Sequence, residues 1–127
     1  MCIRDRIVRC VGELRQARLE LLRSDVREER FVEHTLQIAI QAALDAASHV
    51  VSDGALGEPS TNRELFAILA THGWIEPPLA SRLEEMAGFR NVLVHGYQSV
   101  SLDVVEDVLR NRLGDLLDFV ERVERRL

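Results

Sequence analysis

The sequence predicts an all-α protein, an antiparallel bundle of four to five helices. Apolar residues recur every three or four positions along most of the 127 residues, the spacing that gathers them on one face of a helix. Ala, Leu, Val, Arg and Glu are abundant and aromatics make up only 5%, a balance that favours helix over strand. No run of Val, Thr and Tyr alternates cleanly with polar residues, and there is neither an internal repeat nor a low-complexity segment.

Ile7, Val11, Leu14, Arg18 and Leu21-Leu22 give a first amphipathic helix that ends near Arg23 or Ser24. Met1-Cys2-Ile3-Arg4-Asp5-Arg6 shows neither cap nor period, the mark of a non-native or disordered start, and stays outside the functional reading. Phe31 to Val51 reads as a second, longer helix with Leu36, Ile40, Ala43, Ala47 and Val50 on one face. Asp53-Gly54 and Gly57-Glu58-Pro59 break it. Thr61-Asn62-Arg63-Glu64 has the form of a capping box and opens a short third helix, which Gly73 closes. Pro77-Pro78 precedes a fourth helix, with Leu79, Leu83, Met86 and Phe89 facing inwards. Ser101 caps a fifth, on which Leu102, Val105, Leu109, Leu113, Leu116, Val120 and Val123 recur at helical spacing.

Residues 1–127 make one domain by size. No stretch approaches the 18 or so apolar residues of a membrane span, so no membrane partner is expected. With no basic, apolar, small-residue leader, a cytoplasmic protein is expected. Cys2 and Cys10 alone make neither a zinc site nor a disulfide framework. Every basic residue is Arg, for which GC-rich coding is the plain explanation. The net charge of −5 excludes a broad basic stripe that wraps nucleic acid regardless of sequence. It leaves open a compact site where a few arginines converge on one phosphate.

Arg90-Asn91-Val92-Leu93-Val94-His95-Gly96-Tyr97 is the segment that carries chemistry. Arginine presents two parallel N–H donors to phosphate oxygens and never deprotonates. Histidine, with an ordinary pKa near 6.5, both takes and gives protons around neutrality. The pair suits cleavage of a phosphodiester without a metal or any other cofactor. Gly96 suits a helix end, which places Arg90 and Asn91 in the final turns and His95 at or just past the terminus. On an ideal helix Arg90 and His95 stand about 140° apart. Both reach one phosphate only if the helix ends or kinks between them, or if two chains contribute.

This motif resembles that of the HepT family of toxins in the all-helical HEPN superfamily. The superfamily is marked by Arg, four to six residues, then His, matched by Arg90 and His95; the HepT branch adds the Asn after the Arg and the Tyr two beyond the His, matched by Asn91 and Tyr97. The resemblance extends to Leu44-Asp45-Ala46-Ala47-Ser48-His49-Val50-Val51, to Pro59, to Arg63-Glu64-Leu65-Phe66, and to Leu83 with Met86. It implies a HEPN-like homodimer whose two motifs face each other across a cleft, and a toxin of the type VII toxin–antitoxin kind. Its activity would be that of a metal-independent endoribonuclease. His95 would serve as general acid or base while the RNA 2′-hydroxyl attacks, Arg90 would neutralise phosphate charge, and Asn91 would orient His95 or hold the phosphate. The resemblance further implies a partner, a minimal nucleotidyltransferase (MNT) antitoxin that transfers AMP to Tyr97. The chain has no Gly-Ser…Asp-x-Asp motif of its own for that transfer.

Two other classes compete. One is a non-catalytic HEPN module that docks on a nucleotidyltransferase, whose signature would be loss of Arg90 or His95. The other is a metalloenzyme built from His34, His49 and His95, for which the spacing is poor. Asp45 and His49, four apart, read as a helix-face pair, and His34 and His72 as surface residues.

Overall fold

The computed structural model describes residues 3–95 and 102–126. Among them are six α-helices: α1 (Ile3–Arg15), α2 (Val26–Asp53), α3 (Glu64–Thr71), α4 (Pro77–His95), α5 (Leu102–Asn111) and α6 (Leu113–Arg126). A single 3-10 turn covers Leu19–Leu21, and no described residue lies in a strand. The all-α expectation therefore holds, with six helices where four or five were expected.

The extra helix arises at Arg112, which leaves helical conformation between α5 and α6. The apolar period runs through the break unchanged, because Leu109 and Leu113 are both buried on either side of it. Arg112 turns outwards to Glu85 of α4 (Nη2–Oε2 3.4 Å), and Gly114 lowers the helical preference just beyond.

The first helix departs from expectation at both ends. Its turns begin at Ile3, and Arg4 pairs with Glu124 of α6 (Nε–Oε1 3.2 Å), so residues 3–6 are helical despite their weak period. It stops at Arg15 because Gln16 and Ala17 tighten to i−3 bonds and Arg18 turns extended, donating its N–H to Glu28 Oε1 at 3.1 Å. Leu22 still reaches the core, without a helix to carry it.

The second helix begins five residues earlier than expected. Asp25 is its cap, accepting the Arg27 N–H at 2.9 Å, an interaction worth about 1 kcal/mol. At the other end Gly54 keeps φ −87° and Ala55 takes the left-handed position, φ +49°. The Leu56 N–H then closes onto Val51 O at 3.0 Å. Gly54 is needed for space: a Cβ there would stand 3.1 Å from Leu56 Cδ2 and 3.2 Å from Val50 O.

The expected capping box is only half made. Glu64 reaches back to accept the Ser60 N–H at 2.6 Å, one residue before Thr61, and the helix start at Arg63 has no side-chain cap. Gly73, at φ +77°, ends α3 as expected, in a turn where Trp74 N–H bonds Leu69 O and Gly73 N–H bonds Ala70 O. Arg126 at the end of α6 seals that turn. It donates to His72 O at 3.1 Å and lies 4.3 Å from the Trp74 ring centre.

Helix α2 is the central element, packing against α1, α3, α4 and α6. Its fully buried Leu36, Ile40 and Ala43 share a core with Val11 and Leu14 of α1, Leu83 of α4 and Leu116 of α6. Phe66 of α3 meets Phe119 of α6 edge to face, centroids 5.6 Å apart. Each such side chain contributes about 1.5–3 kcal/mol by burial, and truncating Phe119 to Ala would cost about 3–5 kcal/mol. Trp74, just before α4, lines one cleft with Val50 and Gly54 at the end of α2. Helix α4 therefore starts at the C-terminal end of α2 and runs about 28 Å back towards its N-terminal end. Arg23, which precedes α2, pairs with Asp103 and Glu106 of α5, so α5 closes the same end of the bundle that α4 points to.

Candidate active site

The last three turns of α4 are fixed by their apolar side. Leu83, Met86, Ala87 and Leu93 are buried, and Leu93 is fully so. With that side held in the core, Asn91 and Val92 are left exposed, while Arg90, on the same side as Leu83, Met86 and Leu93, is half-buried. Arg90 and Asn91 thus lie where the motif reading put them, in the closing turns of the helix. His95 is the final residue of α4, which is helical without interruption up to it, and its side chain lies outside the described residues. Tyr97 lies wholly outside them.

The guanidinium of Arg90 is nearly uncommitted. Among the described residues its one hydrogen bond runs from Nη1 to Asn91 Oδ1 at 3.5 Å, the outer limit for such a bond. Its Nε is buried and has no partner among the described residues, and none of their ion pairs uses Arg90. A buried N–H without a partner costs about 1–3 kcal/mol, which an arriving oxyanion would recover. Since α4 is helical from Arg90 to His95, the two backbone positions keep their separation of about 140°. One chain alone does not bring both to the same side.

Arg63 went unnoticed in the sequence as a possible binding group. It precedes α3, is exposed, and lays its guanidinium against α4 where Gly88 has no side chain. A Cβ on Gly88 would lie 3.8 Å from Arg63 Cζ and Nη1. The only sequence signal was a glycine inside a helix, which marks a close approach.

The other histidines do not gather. His34 and His49 are exposed on α2, 15 residues and so about 22 Å apart along the axis, too far to share an ion with His95. Among the described residues no group of three His, Cys, Asp or Glu could hold a metal. Asp45 accepts from Gln41 Nε2 at 2.9 Å, on its N-terminal side, so the expected Asp45–His49 pairing is replaced by Gln41–Asp45. His72 is exposed, as expected, with Nδ1 3.0 Å from Ile68 O.

A cleft of about 510 Å³ lies at the opposite end of the bundle, between Ile7, Val50, Trp74, Phe119 and Val123. It does not coincide with the motif. Its lining is mostly apolar, and its arginine, Arg4, is held by Glu124, so it offers little to a phosphate. The motif end is the better site for phosphodiester chemistry.

Two buried groups outside the motif have shifted pKa values. Glu33 of α2 is buried; desolvation, then the charge and hydrogen bond of Glu29, push its carboxyl above the usual glutamate range. Burial likewise pushes the Cys10 thiol up, which makes it an unreactive core residue.

Comparison with known proteins identifies the family. A family model described as ribonuclease HepT-like matches residues 3–123. The chain is 32% identical over 120 residues to the mRNA nuclease HepT of Shewanella oneidensis, covering 93% of this chain and 90% of that protein. It is 34% identical over 77 residues to the tRNA nuclease HepT of Aphanizomenon flos-aquae, covering 61% of this chain and 52% of that one. Among solved structures, the tri-AMPylated Shewanella oneidensis HEPN toxin in complex with MNT antitoxin superposes with a TM-score of 0.91 at 30% identity. That match covers 97% of this chain and 94% of the other.

Proposed function

The chain belongs to the ribonuclease HepT-like family, and from that premise we propose that it is the toxin of a toxin–antitoxin pair. In this reading residues 1–127 act as one domain, a metal-independent endoribonuclease, and a homodimer forms the site from two copies of Arg90 and His95. The observation that carries the proposal is the Arg90 fork: a half-buried guanidinium whose Nε has no partner among the described residues, five residues before His95 at the C-terminal end of α4. A structural arginine in that place would be expected to hold a carboxylate.

The chemistry follows from these groups and the substrate. RNA brings its own nucleophile, the 2′-hydroxyl beside the scissile phosphate. His95 of one protomer takes the 2′ proton as the O2′–P bond forms; His95 of its partner protonates O5′ as the P–O5′ bond breaks. Arg90 neutralises the charge that grows on the non-bridging oxygens, and Asn91 orients His95 or donates to the phosphate. The products are a 2′,3′-cyclic phosphate and a 5′-hydroxyl. A dimer also answers the 140° separation, since a second copy supplies what one helix cannot.

Control would be exerted at Tyr97 by a nucleotidyltransferase antitoxin of the MNT type. One solved relative is tri-AMPylated and in complex with an MNT antitoxin. AMP groups there would bring negative phosphodiesters to the arginine that RNA needs. The test is cleavage by purified variants. His95→Ala and Arg90→Ala should each abolish RNA cleavage and toxicity while far-ultraviolet circular dichroism stays unchanged. Full activity in His95→Ala would remove the acid–base assignment.

A further inference from the structure

We propose that Arg63 is a second RNA-phosphate ligand, holding a nucleotide next to the one that is cleaved. The inference rests on the ribonuclease reading of the motif and extends its binding site from α4 to the start of α3.

Three observations carry it. First, Gly88 and His95 are seven residues apart on α4, so their backbone positions differ by only about 20° around the axis and about 10 Å along it. Arg63, lying on Gly88, therefore occupies the His95 side of the helix, the side from which Arg90 is rotated away. A strand whose scissile phosphate sits at His95 carries its neighbouring phosphates down that side.

Second, Arg63 is uncommitted in spite of acidic company. The adjacent Glu64 turns its carboxylate back to the Ser60 amide, and among the described residues no ion pair uses Arg63. By contrast Arg23, Arg82, Arg112 and Arg122 each hold an acid on another part of the chain.

Third, the absent side chain at Gly88 lets the guanidinium rest against the helix, with ordinary contact distances of 3.8 Å to an imagined Cβ. Anything much larger than a methyl group would push the fork off. A planar fork, laid flat and left unpaired, is preorganised for a phosphate.

The experiment uses the whole chain and two RNAs: a single-stranded oligonucleotide methylated at every 2′-oxygen, which cannot be cleaved, and its unmodified counterpart. Arg63→Ala should weaken binding of the methylated RNA about tenfold and reduce the slope of log Kd against log salt by about one. On the unmodified RNA its KM should rise in proportion, with kcat within about twofold of the parent. Gly88→Leu, which improves helix propensity while displacing the fork, should give the same pattern. Arg63→Lys should restore the salt slope and only part of the affinity. Arg125→Ala, removing a charge paired with Glu121 elsewhere, should change neither quantity. An unchanged Kd and slope in Arg63→Ala overturns the proposal, as does a fall in kcat without a rise in KM. So does an effect confined to binding of a nucleotidyltransferase partner. Binding is read on uncleavable RNA, so full cleavage by His95→Ala would sink the catalytic reading separately.

Discussion

Arg82 of α4 donates its Nε–H to Asp115 Oδ1 at 3.0 Å, and this one contact ties the motif helix to the start of α6 across 33 residues. The Asp115 side chain is 11% exposed, and its other oxygen is buried without a partner. Arg82, more exposed at 39%, keeps part of its hydration. Arg82→Ala should therefore destabilise through the stranded carboxylate, by about 1–2 kcal/mol. Asp115→Asn, which retains an acceptor and sheds the charge, should cost less than half of that. Urea denaturation of both variants checks the order, and equal losses would show that the charge is irrelevant.

Ala55 ends α2 at φ +49°, a conformation that costs a residue with a Cβ about 1–2 kcal/mol. Ala55→Gly should stabilise the fold by about 0.5–1 kcal/mol, because the added freedom of the unfolded chain offsets part of the relief. A lower urea midpoint would show that the turn is not strained.

Glu33 has a raised pKa, chiefly from burial and then from Glu29. Its folded value lies above its unfolded value, so the protonated form favours the fold. That contribution is complete below the ordinary glutamate value of about 4.3 and is lost as pH rises through the raised one. Glu33→Gln should abolish this loss and raise stability at neutral pH. A thermal-melt profile whose dependence on pH is identical in parent and variant above the ordinary glutamate range would contradict it.

Much of the fold was legible because helical period and apolar spacing are local properties. The faces of α2, α4 and α6 hold the residues that the period selected: Leu36 and Ile40, Leu83 and Met86, Leu116 and Val123. What escaped is set by contacts distant in sequence or by competing caps. Asp25 starts α2 early, the expected Thr61 cap yields to a Ser60–Glu64 bond, and Arg112 breaks the last helix to reach Glu85. Gly96 and the helical period placed Arg90 and Asn91 in the closing turns of α4, where they lie; their proposed roles came from the resemblance to the HepT family. The place of Arg63 beside Gly88 was not legible, because it depends on how α3 folds back along α4.

Tyr97 is the proposed point of control. Incubated with its cognate nucleotidyltransferase, ATP and magnesium, the chain should gain one or more AMP units and lose cleavage activity. Tyr97→Phe should gain none and remain active, unless partner binding alone inhibits it. Intact-mass spectrometry decides: an adduct that persists in Tyr97→Phe assigns the modification elsewhere.

The chemistry of the cut ends tests the central claim most directly. If the RNA's own 2′-hydroxyl attacks and two His95 side chains move the protons, cleavage in EDTA should leave a 2′,3′-cyclic phosphate and a 5′-hydroxyl, and a single 2′-deoxy substitution at the cleaved nucleotide should stop it. Ends bearing a 5′-phosphate and a 3′-hydroxyl, or cleavage that EDTA abolishes, would contradict it.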